Sequence, residues 1–269
     1  MRFWKKLSVT KQISLCNQIL SLDLHAINKT FREAQTKRTF EGTLERFPDE
    51  KISSYSSDME GETWRKIGLE AIASNEVAVV LLSGGQGTRL GSDKPKALFD
   101  IGMPSRKSLL QIQAEKIKKL ESLAGGVIPW YIMTSKSTDY QMKEALEKSK
   151  FFGLDPEQIH VFSQGNFPCL SESGDILLQN QSTIASSPDG NGGLFKALKK
   201  EGVISDMESR QVKHVFVYCV DNVLVKVADP EFLGFCISRG AECANKVVRR
   251  RPGESVGITG LLGELRAQD

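Results

Sequence analysis

Val77-Ala78-Val79-Val80-Leu81-Leu82 is an unbroken apolar run, half of it β-branched. It has strand length and no polar face, so it predicts a central parallel strand covered on both sides. Glycines end it at Gly84-Gly85. Around it the pattern alternates. Helices are expected over 59–73, along Leu109, Ile112, Ile117 and Leu120, over 139–150, after Gly193 and after Asp229-Pro230. Strands are expected at 130–133, 159–162, 215–220 and near 246–248, with a hairpin around 171–174. Such alternation predicts a doubly wound α/β domain whose ligands sit beyond the carboxyl ends of its strands.

The first part of the chain reads differently. Apolar residues recur at Ile13, Cys16 and Leu20, and at Leu24, Ile27, Phe31 and Ala34, predicting two amphipathic helices with Asp23 as N-cap of the second. Phe3 and Trp4 are expected to pack against them. From 40 to 58 a polar, serine-rich stretch containing Pro48 reads as a connector.

Composition narrows the function classes. A chain of 269 residues, 40% hydrophobic and 26% charged, is ordinary globular material for one or two domains. Its net charge of +3 is spread out, the densest cluster being Arg249-Arg250-Arg251, so no nucleic-acid partner is expected. No apolar run reaches bilayer length, and polar residues follow the basic N-terminus, so neither a membrane span nor a signal peptide is expected. Five scattered cysteines without a CxxC pair predict reduced thiols in a cytoplasmic protein. Three histidines away from any Cys spacing argue against structural zinc. His25, His160 and His214 read as structural or surface residues, Cys219 as a small apolar strand residue, and Lys116-Ile117-Lys118-Lys119 as a solvated helix face. Nothing in the sequence sets an oligomeric state.

The segment Leu82-Ser83-Gly84-Gly85-Gln86-Gly87-Thr88-Arg89-Leu90-Gly91 is the most informative. Glycines directly after a buried strand let backbone N–H groups approach a phosphate or a base. The spacing fits neither a P-loop nor a dinucleotide fingerprint, which would need glycine where Leu90 stands. A glycine loop with Arg89 and Lys94-Pro95-Lys96 close by suits a triphosphate that loses pyrophosphate. The plainer alternative is a glycine-rich βα turn with solvated charges. Three further places pair a chemical reading with an ordinary one. Pro188-Asp189-Gly190-Asn191-Gly192-Gly193 suits a sugar hydroxyl or acetamido group, or is an Asp-Gly turn entering a helix. Asp221 ends a strand where a metal against phosphate would sit, or where an Asx-turn would. Gln164 also follows a strand, and its amide has the donor and acceptor that uracil requires.

Gly84-Gly85-x-Gly87-Thr88-Arg89-Leu90 followed by Pro95-Lys96 resembles the signature of the sugar-1-phosphate nucleotidyltransferases. The next stretch, Asp100-Ile101-Gly102-Met103-Pro104-Ser105-Arg106-Lys107-Ser108-Leu109 with Gln111-Ile112-Gln113-Ala114-Glu115, resembles the eukaryotic UDP-N-acetylhexosamine pyrophosphorylases. The likeness extends from Phe3-Trp4 to about Gly257. It implies a Rossmann-like, GT-A-like nucleotidyltransferase domain with a mixed sheet, incomplete at the C-terminus. The expected divisions are a helical segment 1–58, a partial nucleotidyltransferase domain 59–257 and a divergent tail 258–269.

The resemblance also implies a reaction. UTP and N-acetylglucosamine 1-phosphate would give UDP-N-acetylglucosamine and pyrophosphate, with Mg²⁺ or Mn²⁺ as cofactor. Backbone at Leu82, Ser83, Gly84 and Gly85 would select uracil together with Gln164. Gly190 would contact the nucleotide and Asn191 the sugar. Arg89 and Lys96 would be the catalytic cations on the outer phosphates, and Asp221 would hold nucleotide and metal. Two alternatives stand beside this: an inactive nucleotide-binding fragment or splice form, and a pyrophosphorylase for another sugar 1-phosphate.

Overall fold

A computed structural model describes residues 3–36, 43–54, 59–87, 91, 94–257 and 259–262. In chain order its strands are β1 (Leu44–Glu45), β2 (Val77–Leu82), β3 (Trp130–Thr134), β4 (Ile159–Ser163), β5 (Asn166–Pro168), β6 (Leu178–Asn180), β7 (Thr183–Ile184), β8 (Ser186–Pro188), β9 (His214–Cys219) and β10 (Leu261–Leu262). Its α-helices are α1 (Val9–Leu20), α2 (Leu24–Gln35), α3 (Met59–Ala73), α4 (Leu109–Ala124), α5 (Asp139–Lys148), α6 (Leu194–Lys200), α7 (Val203–Ser209) and α8 (Pro230–Ser238). They fall into two units: Ser57–Phe167 with Pro188–Asn245, and Met1–Ser56 with Pro168–Ser187 and Lys246–Asp269.

The first unit is an α/β layer structure built around β2. Its sheet has the order β4-β3-β2-β9, and every described pairing is parallel. Val77, Val79 and Leu81 of β2 face a core shared with α3, α4, α5 and α8, while Ala78 and Val80 face one shared with α6 and α7. Both faces of β2 are therefore covered, which is why its sequence lacks polar alternation.

Two helices of this unit touch backbone to backbone. A Cβ on Gly68 of α3 would lie 1.9 Å from the Pro230 carbonyl oxygen, and one on Gly234 of α8 would lie 1.7 Å from that of Trp64. Only glycine allows this crossing. Trp64 and Phe235 then meet edge to face at 5.2 Å.

Helix α5 stops at Lys148 rather than 150, and Lys150, Phe151 and Phe152 take φ of 50°, 53° and 53°. Left-handed backbone costs roughly 1–2 kcal/mol per residue. Packing both phenylalanines against the larger core offsets it.

In the other unit Asp23 caps α2, accepting from Ala26 N at 2.9 Å. Leu7, Leu15 and Ile184 form a small core with Trp4 packed on it. Gln18 fastens α1 to the β6–β7 hairpin, donating to Ser182 O at 3.1 Å and accepting from Ile184 N at 2.9 Å. The stripe expected on α1 is not the buried one: Ile13 is 56% and Leu20 81% exposed, whereas Leu15 is buried. Hairpin contact selects the face, and periodicity alone does not say which face that is. Residues 246–248 form no strand, because no described strand pairs with them, and Val247 and Val248 stand exposed. In the tail, β10 pairs antiparallel with β1, whereas Ile258 and 263–269 lie outside the described residues.

Helix propensity alone would have Gly68→Ala stabilise α3 by about 1 kcal/mol. The crossing reverses the sign. Urea denaturation of Gly68→Ala is expected to show a loss of about 1–3 kcal/mol, the cost of overpacking.

Candidate active site

The chain runs from β2 to β3 to β4 along one side of the sheet, then returns to place β9 on the other flank of β2. The direction of winding changes between β2 and β9, and crevices in parallel sheets open at such a point. Backbone bonds level the strand ends. Ser83 N donates to Met133 O at 2.8 Å, Val220 N to Leu82 O at 3.1 Å, and Gln164 N to Thr134 O at 2.9 Å. Leu82, Ser83, Gln164 and Asp221 thus emerge at one end of the sheet.

The glycine loop folds back on itself. Gly87 N donates to Lys94 O at 2.9 Å and Lys96 N to Gly85 O at 3.2 Å, with Gln86 bridged to Pro95. This lays the Lys96 side chain along the loop: a Cβ on Gly85 would be 3.6 Å from Lys96 Cε. On the other side a Cβ on Gly84 would be 2.1 Å from Gln164 Nε2. The amide reaches the loop backbone only because Gly84 has no side chain. Arg89 lies outside the described residues.

Lys96 Nζ pairs with Asp221, at 3.0 Å to Oδ1 and 3.1 Å to Oδ2. The Asp221 side chain is 64% exposed, so the pair is a surface one, worth roughly 0–1 kcal/mol and easily exchanged. Burial, with the Asp221 charge beside it, pushes the Cys219 thiol above its ordinary value. Asp221 brings no cage with it. Among the described residues no group of three or more His, Cys, Asp or Glu side chains could hold a metal ion.

The 188–193 turn joins the same row. Asp189 N donates to Gly165 O at 3.0 Å. The Asp189 carboxylate lies against two glycines, 2.5 Å from where a Cβ on Gly165 would be and 2.2 Å from one on Gly193. Gly190 has φ 75°, and Asn191, exposed, starts the short turn leading into α6. Local contacts therefore run from Asp189 through Gly165, its neighbour Gln164 and the glycine loop to Lys96 and Asp221. Along that row Ser83 Oγ, Gln164 Oε1 and Asp189 Oδ1 are buried with no hydrogen-bond partner among the described residues. Such atoms cost about 1–3 kcal/mol each unless a ligand or water satisfies them.

Sequence reasoning missed a supporting residue beside Asp221. Lys116 is half-buried, and its Nζ donates to Val223 O at 3.3 Å and Val225 O at 2.9 Å, just past Asp221. Burial lowers its pKa. The Lys116–Lys119 run is thus not a uniformly solvated face. The signal available in the sequence was that Lys116 stands four residues after Ile112, one of the periodic apolar positions of α4.

The family described as UTP–glucose-1-phosphate uridylyltransferase matches residues 24–261. A UDP-N-acetylglucosamine pyrophosphorylase of Saccharomyces cerevisiae is 49% identical over 214 residues, which is 78% of this chain and 45% of the yeast protein. UDP-N-acetylglucosamine diphosphorylase 1 of Arabidopsis thaliana is 44% identical over 95% of this chain and 53% of its own length. Among solved structures, the uridine diphosphate N-acetylglucosamine pyrophosphorylase of Trypanosoma brucei, in complex with inhibitor, superposes with TM-score 0.77 at 30% identity. It covers 87% of this chain and 50% of the trypanosome protein. The chain spans about half the length of the relatives it matches.

Gly84→Ala tests the contact between loop and amide. Its Cβ must push Gln164 aside, and a flexible amide can yield without unfolding the sheet. The expected result is a melting temperature within a few degrees of the parent by calorimetry, and a loss of more than about ten degrees would show that the amide cannot yield.

Proposed function

This chain belongs to the UTP–glucose-1-phosphate uridylyltransferase family, and from that premise we propose that its strand tips bind UTP and pass the uridylyl group to N-acetylglucosamine 1-phosphate. The observation that carries this reading is the continuous row of Gln164, Gly84, Gly85, Lys96 and Asp221 at the β2–β9 switch. A base-reading amide, free backbone and a cation follow one another there in the order of a nucleotide's parts.

An oxygen of the sugar phosphate attacks the α-phosphorus of UTP in line. One P–O bond forms to the sugar phosphate, the bond between the α-phosphorus and the bridging oxygen breaks, and pyrophosphate leaves with that electron pair. The attacking group is already an anion, so no residue need act as general base. The barrier lies in bringing anions together. Lys96 offsets charge on the outer phosphates, and Arg89 is assigned the same task. The backbone of 82–85 and the Gln164 amide seat the uracil, Gly190 approaches the nucleotide, and Asn191 hydrogen-bonds the amino sugar.

Asp221 offers one carboxylate, a donor set that fits Mg²⁺ (or Mn²⁺), which usually binds through one or two carboxylates plus substrate phosphates. When bound, the ion neutralises phosphate oxygens. Lys96 and Asp221 satisfy each other in the free chain. Substrate binding exchanges that weak pair for a contact of Lys96 with phosphate, and Asp221 would then be the residue to hold the ion.

A second reading is nucleotide binding without turnover. It is favoured by β9, last in the sheet among the described residues, whose Val215 and Val217 are 43% and 47% exposed on the face opposite Phe216. An apolar face on an outer strand is normally covered. Pyrophosphate release from the purified chain with UTP, Mg²⁺ and a panel of sugar 1-phosphates separates the two. Turnover with N-acetylglucosamine 1-phosphate is expected, with about 10²-fold loss in Lys96→Ala, the scale for removing one transition-state charge partner. Titratable UTP binding without pyrophosphate release favours the second reading, and unchanged turnover in Lys96→Ala removes that residue from the mechanism.

A further inference from the structure

Gln164 rises from a short piece of backbone, and a set of hydroxyls with one carboxylate lies beneath it. Thr134 and Ser163 are the last residues of β3 and β4. Thr134 is fully buried, and its Oγ1 lies 2.8 Å from Asp139 Oδ1 and 3.1 Å from Phe162 O. Its single proton goes preferentially to the nearer, charged acceptor. Ser163 Oγ donates to the same Asp139 Oδ1 at 3.3 Å. Lys143, one turn along α5, holds the other oxygen, Oδ2, at 2.7 Å. The strand ends are thus tied from below by Asp139, while Gln164 N donates to Thr134 O above it. Burial opposes ionisation of Asp139, but the bonds from Lys143, Thr134 and Ser163 outweigh it and hold the carboxyl below its ordinary value.

We propose that Asp139 is a positioning residue for pyrimidine selection, holding the backbone from which Gln164 reads the base through Thr134 and Ser163. The inference rests on the uridine reading above. Uracil offers a donor at N3 and an acceptor at O4, and cytosine offers the reverse. An amide free to turn over pairs with either. Gln164 is rooted on a fixed strand end with its Nε2 turned to the Gly84 side, 2.1 Å from where a Cβ there would be, so the placing of that end decides how the amide meets the base. Asp139 touches no base. Its effect reaches the base only through where Gln164 stands.

The measurement is the ratio of UTP to CTP affinity, by calorimetry on the whole chain, with melting temperature as a separate readout. The unaltered chain is expected to prefer UTP. Asp139→Ala removes the shared acceptor and is expected to cut the preference at least fivefold. Asp139→Asn keeps an oxygen that accepts from both hydroxyls and is expected to stay within twofold of the parent ratio. Should Asp139→Ala not fold, Thr134→Val decides by the same ratio, since it keeps the branched strand side chain and loses only the hydroxyl. A lower melting temperature with an unchanged ratio overturns the inference and leaves the uridine reading intact. Absence of UTP preference in the unaltered chain overturns the uridine reading and this inference with it.

Discussion

Everything at the site depends on one backbone arrangement: β2 hydrogen-bonded in parallel to β3 on one side and β9 on the other, with all three ending at one level. Leu82 lies opposite Met133 and opposite Cys219, and the bonds from Ser83 N and Val220 N continue the ladders just past the strand ends. A shift of one residue in either pairing would turn side chains to the other face of the sheet. The apolar run fixes that register through burial on both faces, so the chemistry at the tips is positioned by residues that take no part in it.

The glycines then let the tips come together. Gln164 and Lys96 both approach the loop: a side chain on Gly84 would displace the Gln164 amide, whereas one on Gly85 would meet Lys96 at ordinary contact distance. The result is a site whose polar groups are only partly satisfied. Lys96 and Asp221 hold each other through a contact that solvent already weakens, and several buried oxygens have no partner among the described residues. A loose ion pair beside unsatisfied acceptors suits a surface that exchanges its internal contacts for those of a charged ligand.

Much of this was legible in the sequence, and the reasons are physical. The run 77–82 points to a doubly covered strand because its short length and its valines suit a strand better than a buried helix, and five of its six residues are buried. Gln164 and Asp221 could be placed at strand ends because a chain that alternates strand and helix must expose its strand tips on one side. Contacts made by tertiary packing were not legible. Periodicity along α1 named Ile13 and Leu20, yet the hairpin buries Leu15 instead. Lys116 looked like one of several solvated lysines until its reach to Val225 O was known. The hydroxyls at Thr134 and Ser163, with Asp139, carry no motif, since serines and threonines at strand ends are common and their joint acceptor appears only when the strands are side by side.

The central claim is that a uridine triphosphate lies across the ends of β4, β2 and β9. A crystal structure of the chain with UTP and Mg²⁺ tests it most directly. The account predicts uracil against Gln164 and the Gly84 backbone, with the outer phosphates at Lys96 and the Lys96–Asp221 contact opened. Nucleotide density away from these strand ends, or bound there with that contact intact, would contradict it.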